Sequence, residues 1–184
     1  MVATTNVWYQ RHAGMGVCNL LSSVATGTEL FAQVTGGTAY AALTEFVENV
    51  EVYGGGMDVE VINVCGITQK VLEKKPEMRK CSFDMVYSDS TKMLLNRLYG
   101  TAVTAPSGFV RYQGGEKTSS ANRAKCAVGA QFTDGTNKVN CLLNNAWMTK
   151  YEGPKLNADD YAKVSIEFSC LAADYYEEDN LADS

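Results

Sequence analysis

The stretch AKVSIEFSC, Ala162–Cys170, places an apolar residue at every second position: Ala162, Val164, Ile166, Phe168 and Cys170. Lys163, Ser165, Glu167 and Ser169 fill the gaps. A period of two belongs to a strand with one face in a core and the other in water. The same alternation recurs in EFVENVEVY (45–53), MDVEVINV (57–64), KCSFDMVYS (80–88), AKCAVGAQF (124–132) and KVNCLLNNAWMTK (138–150). SGFVRYQ (107–113) is a further strand candidate. TDGTN (133–137) carries the Asp-Gly of a hairpin turn, and Gly54–Gly56 read as a loose turn joining 45–53 to 57–64 as a hairpin. Turn-joined, alternating strands predict a mainly β fold: an antiparallel β-sandwich or barrel with one face of each sheet buried.

One short packed helix interrupts the strands. DSTKMLLNRLYG (89–100) has Ser88 or Asp89 to cap it, Met93, Leu94 and Leu98 at helical spacing, and Gly100 to end it. Residues 1–44 mix Gly, Thr and Ser with short apolar runs, and predict an N-terminal arm plus short strands and a helical turn. CGITQKVLEKKPEMRK (65–80) is the most basic stretch and reads as a solvated or protruding loop. The domain is expected to span 1–172. Residues 173–184, with five acids and no base, read as an acidic tail or a terminal arm.

At 184 residues the chain suits one domain with a sizeable core. A net charge of −5 argues against a surface that grips nucleic acid phosphates. The longest apolar candidate, VCNLLSSVATGTELFAQV (17–34), is broken by Ser, Thr, Gly and Glu29, so no membrane-spanning helix is expected. No cationic segment precedes an apolar core at the N-terminus, so a soluble product made in a cytosol is expected. Of six cysteines, Cys81, Cys126, Cys141 and Cys170 share the phase of apolar strand faces, which predicts buried free thiols.

No residue set carries catalysis, a cofactor or a metal. His12 is the single histidine, in the least patterned region, and no Cys-X-X-Cys pair exists for zinc. GGEKTSS (114–120) lacks the spacing of a phosphate loop, and Gly14-Met15-Gly16 lacks the third glycine of a dinucleotide fingerprint; both read as turns. Asp159–Asp160 and Glu177–Glu178 fall in a loop and a tail, away from the facing strands a glycosidase needs. Tyr112, Trp147, Tyr151 and Tyr161 could line a groove, but Trp147 sits in the apolar phase of its strand and reads as core.

Two segments, KCSFDMVYSDSTKMLLNRLYG (80–100) and NCLLNNAWMTKYEGPKLNADDYAKVSIEFSC (140–170), give a strand–helix middle and a turn–strand finish. In this order and pattern the chain resembles the tail tube (major tail) proteins of long-tailed bacteriophages. The resemblance implies a non-enzymatic virion protein whose copies form hexameric rings, sheet edge to sheet edge. The rings stack into a tube through which DNA passes without specific binding during genome ejection. It further implies assembly in the host cytoplasm, location in the tail, no membrane partner, and contacts with tape measure, tail terminator and distal tail proteins. Gly54–Gly56 or the basic stretch 66–80 is the expected stacking contact, with the acidic tail as its complement. The rival readings are a non-enzymatic β-sandwich binding module (carbohydrate-binding, baseplate or capsid-decoration) and a hydrolase of unrecognised type.

Overall fold

The computed structural model describes residues 12–36, 41–42, 47–56, 59–64, 68–73, 77–88, 91, 94, 106–109, 125–155 and 161–180; for 12–13, 41–42, 59–64 and 68–73 it describes the backbone alone. The elements are β1 (His12–Asn19), α1 (Leu30–Thr35), β2 (Ala41–Ala42), β3 (Val47–Gly54), β4 (Val59–Val64), β5 (Thr68–Glu73), β6 (Arg79–Val86), β7 (Cys126–Thr133), β8 (Lys138–Lys155), β9 (Lys163–Cys170) and β10 (Tyr175–Asp179). Eight of the strands form one antiparallel sheet in the order β2-β1-β7-β8-β9-β6-β3, with β10 also on β8. β4 and β5 pair with each other.

The sheet is curled. In a flat sheet β1 and β3, five strands apart in that order, would be ~24 Å from each other. Instead their Cα atoms come within 8 Å. No ladder joins them among the described residues, so the barrel is not closed. The two halves face each other across one core. Met15 and Val17 of β1, Val128 and Ala130 of β7 and Leu143 of β8 meet Phe83 and Met85 of β6 and Ile166 and Phe168 of β9. Phe83 and Phe168 stack with ring centroids 6.2 Å apart.

The half containing β1, β7 and the start of β8 is buried on both faces. Its second face carries α1, whose Leu30 and Val34 pack on Cys18, Ala127 and Leu142. Gly16 stands opposite Gly129 in the β1–β7 ladder. A Cβ on Gly129 would lie 3.0 Å from Val34 Cγ2 and 3.3 Å from Phe31 Cδ2, so a bare backbone is what lets α1 lie this close. Gly14-Met15-Gly16 is therefore strand, with Met15 buried, and the turn read from its glycines is corrected.

Two asparagine bulges shift the strand phases. Asn49 in β3 (φ 52°) and Asn145 in β8 (φ 57°) are the positive-φ non-glycine residues among those described. Each lies where a ladder slips by one residue, between Glu48 and Glu51 and between Leu143 and Ala146. Beyond Asn145, Ala146 and Met148 enter the core and Trp147 is half-buried, under Lys125 at 5.8 Å. Trp147 is thus not in the phase of Cys141 and Leu143, which corrects its reading as core.

Other expectations change with long-range pairing. β3 pairs with β6, and β4 takes β5 from within the basic stretch, so 45–53 and 57–64 do not form a hairpin together. The acidic 173–184 segment is no free tail over its described part. Tyr175–Asp179 runs on antiparallel along β8 after a 3-10 turn at Ala172–Asp174. Ser107 and Gly108 form a turn, with Gly108 at φ 84° and Phe109 exposed beyond it, where a strand is expected from the sequence; residues 110–113 lie outside the described residues. So do Tyr112, Asp159–Asp160, the 114–120 loop, Cys65 and most of the 89–100 helix, of which Thr91 and Leu94 are helical and buried. The TDGTN turn forms as read. Asp134 accepts the backbone N–H of Thr136 and Asn137, which holds its carboxyl below the usual range.

Cys18, Cys81, Cys126, Cys141 and Cys170 are free and buried. In the ladders no cysteine stands opposite another: Cys18 faces Ala127, Cys126 faces Ala146, Cys141 faces Ala130 and Cys81 faces Phe168. Burial pushes the Cys81 thiol up to about 12. In the folded protein these five thiols should resist a soluble disulfide reagent and react after denaturation. Gly129→Val should cost about 1–3 kcal/mol in urea unfolding. Adding Val34→Ala should recover part of that loss, because the two side chains compete for one space.

Candidate functional site: a polar sheet face with two open edges

The second half of the curled sheet has the order β8-β9-β6-β3, where β8 contributes its last nine residues, Trp147–Lys155. Its inner face is core. Its outer face collects the polar residues of the alternating pattern, including Lys163, Ser165 and Glu167 of the segment that predicted the fold.

Cross-strand partners tie this face together. Glu167 accepts hydrogen bonds from Tyr53 Oη at 2.6 Å and Thr149 Oγ1 at 2.8 Å, and pairs with Lys80 at 3.4 Å. Ser165 donates to Asp84 at 2.5 Å, and Asn49 Nδ2 donates to the other Asp84 oxygen at 2.8 Å. The bulge that makes Asn49 left-handed is what brings its amide to Asp84. Glu152 is held between Lys150 at 2.7 Å and Lys155 at 2.6 Å, and Lys163 pairs with Glu48 at 3.0 Å. The four lysines of this face among the described residues, Lys80, Lys150, Lys155 and Lys163, therefore lie within 3.4 Å of a carboxylate of the same chain. Exposed pairs of this kind add little stability each. Their effect is on the surface field: against them stand Glu48, Glu51, Asp84, Glu152 and Glu167, so the face is near neutral and slightly acidic.

A shallow recess of about 260 Å³ lies among Asn49, Tyr53, Ser82, Asp84, Lys150 and Glu167. No histidine or cysteine lines it, and among the described residues no cluster of His, Cys, Asp or Glu could hold a metal ion. His12 is placed in β1 opposite Thr133, on the other half of the sheet.

Both edges of this half are unpaired among the described residues. β3 ends the strand order, and β7 leaves β8 at Ala146, so Trp147–Lys155 have β9 on one side alone. The edges differ in charge. β3 carries Glu48 and Glu51 with no base, whereas the free length of β8 carries Lys150 and Lys155 with one acid, Glu152. The alternation in the sequence announced the polar face. The open edges, and the roles of Tyr53 and Asn49, come from pairings far apart in the chain.

No family model and no curated protein matches the chain. Solved structures do. The baseplate structure of the anti-feeding prophage contains a chain similar at TM-score 0.50 and 7% identity, covering 95% of this chain and 97% of that one. A chain of the sheath/tube terminator of an extracellular contractile injection system, PVC, in the extended state, is similar at 0.46 and 10%, over 89% and 92%. An Hcp protein is similar at 0.42 and 12%, over 91% and 98%. The first of these supports the fold and, at such identity, the fold alone.

The carboxylates of the polar face set an acid limit. Two lysine partners hold Glu152 down at about 2. Burial pushes Glu167 up, but its bonds from Tyr53, Thr149 and Lys80 outweigh that and leave it lowered. Since both folded values lie below the unfolded ones, their contribution is whole above the ordinary glutamate pKa of about 4.3 and fades as pH falls through the folded values. Thermal melts of the wild type should lose Tm below about pH 4. Glu167→Gln should melt lower at pH 7 and show a shallower loss in acid.

Proposed function

We propose that this chain is a structural subunit that assembles into closed rings stacked as a tube, the tail tube of a phage or of a related contractile particle. The observation that carries this reading is the four-stranded half-sheet with both edges unpaired among the described residues and of opposite charge. Exposed edges normally have to be blocked. Joining β3 of one subunit to Trp147–Lys155 of the next satisfies both at once. Because the half-sheet has an even number of antiparallel strands, a rotational ring makes every junction antiparallel as well. A head-to-tail contact that closes in this way gives a ring, and stacked rings give a tube.

In such a ring α1 and its half of the sheet lie outside and the polar face lines the lumen. Six subunits with four strands each, at ~4.8 Å spacing and the usual barrel tilt, give an inner barrel roughly 40–50 Å across between backbones. That leaves room for duplex DNA inside the side chains. With its lysines balanced by glutamates, this face presents no net positive charge for phosphates to bind, so a polyanion slides past. The β4–β5 hairpin and the neighbouring basic stretch supply the contact from ring to ring. Tape measure, terminator and distal tail proteins are the partners this role implies, with assembly in a host cytoplasm and residence in the tail. No catalytic step is assigned.

A discrete small oligomer using the 260 Å³ recess as a binding groove is the competing reading. Negative-stain microscopy of purified protein separates the two, with hollow rings or tubes expected. Glu51→Lys, which makes the β3 edge repel Lys150 of a neighbour, should leave the far-ultraviolet circular dichroism unchanged and shift the protein to monomer in size-exclusion chromatography. Wild-type protein that stays monomeric at high concentration would count against the tube.

A further inference from the structure

The chain leaves the sheet after Gly56 and returns at Glu77, whose N–H donates to Gly56 O at 3.1 Å. This closes the neck of an excursion, 57–76, that holds the β4–β5 hairpin. One side chain crosses the neck. Arg79, the first residue of β6, donates from Nη1 to Gly54 O at 2.7 Å. Its guanidinium lies over the ring of Tyr175, 4.6 Å from the centroid. Gly54 and Gly55 both have positive φ, 83° and 78°. A Cβ on Gly55 would sit 2.1 Å from Arg79 Nε, so the arginine occupies the space a side chain there would take.

Tyr175 opens β10, and β10 is held from its other end. Glu178 accepts the N–H of Leu30, the first residue of α1, at 2.6 Å and Asn140 Nδ2 at 2.9 Å. Asn140 is nearly fully buried and also bonds Gln131 and Glu29. β10 itself is a five-residue edge strand, exposed or half-buried at every position, so it is a low-cost segment to open.

We infer that Arg79 is a positioning residue that couples the hairpin excursion to the C-terminal strand: gripping either one steadies the other. The inference is independent of the tube reading, since it concerns a single folded chain. Two segments far apart in sequence share one guanidinium, so losing its seat on Tyr175 frees the neck, and losing the neck frees β10. Linkage makes the effect reciprocal. A neighbour docking on the hairpin would then also hold β10 against β8.

Hydrogen exchange of the full chain, read by mass spectrometry, tests this. Arg79→Gln should raise exchange about tenfold in both 59–73 and Tyr175–Asp179, the scale of losing one partly desolvated cation–π contact. The β7–β8 ladder should keep its protection. Tyr175→Leu is the decisive variant, because it leaves the bond from Arg79 to Gly54 in place and keeps an apolar side chain. It should also speed exchange in 59–73, a readout that a purely local role for Tyr175 would not move. Should Arg79→Gln lose the β7–β8 protection, Arg79→Lys keeps the charge and stem and should give the same two-segment pattern at smaller size. A Tyr175→Leu protein with β10 loosened and 59–73 unchanged would overturn the coupling.

Discussion

Strand β8 is the constraint on which the rest depends. It runs for 18 residues, about 60 Å at strand rise, where a globular strand usually has five or six. Its first half pairs with β7 and β10 and its second half with β9, so the two halves of the sheet share one backbone. The slip at Asn145 lies at the changeover. There the chain takes a left-handed residue, the sheet turns, and the core face passes from Cys141 and Leu143 to Ala146 and Met148. A straight β8 in constant phase would aim Trp147 inward and Met148 at solvent.

The same curl decides what is exposed. One half of the sheet is covered twice, by the core and by α1, and it needs the bare backbone of Gly129 to accept a helix. The other half is covered once. Its free face is wet, cross-linked by ion pairs and hydrogen bonds, and bounded by edges that stop pairing among the described residues. A chain built this way is well buried as a core and unfinished as a sheet. That asymmetry, more than any side-chain constellation, directs the functional reading toward assembly.

Much of this was legible in the chain. The period-two runs at 80–88 and 162–170 are strands with the faces they announce, and the Asp-Gly turn forms; the runs at 124–132 and 138–150 are strands too, but α1 buries the second face of Ala127 and Leu142, where the alternation announced one buried face. The phasing of the cysteines placed Cys81, Cys126, Cys141 and Cys170 correctly, because a small apolar side chain in an unbroken alternation has one side to go to. The errors have physical causes. Asn49 is a polar residue in a polar slot, and nothing local shows its positive φ; Asn145 stands in the apolar phase of Cys141, Leu143 and Trp147, and a polar residue there is the local trace of the slip. The acids of 177–179 read as solvated because a charge run usually is, yet Glu178 finds the N–H of Leu30 and the Asn140 amide 148 and 38 residues away. The basic stretch hid a strand because its partner is β4, a neighbour the glycines at 54–56 had seemed to assign to β3.

What the sequence determined by itself, then, is the class of the structure: alternating apolar strands need a second layer to cover them. Only the tertiary structure decided which strands stand next to one another. Pairing between strands depends on backbone groups that are the same at every residue, so the choice of partner is made by the curl of the whole sheet. That choice set the open edges at β3 and the end of β8, and seated Arg79 between Gly55 and Tyr175. It also settled the surroundings of AKVSIEFSC: its apolar face closes the core down to Cys170, and its polar face is the centre of the exposed face of the half-sheet.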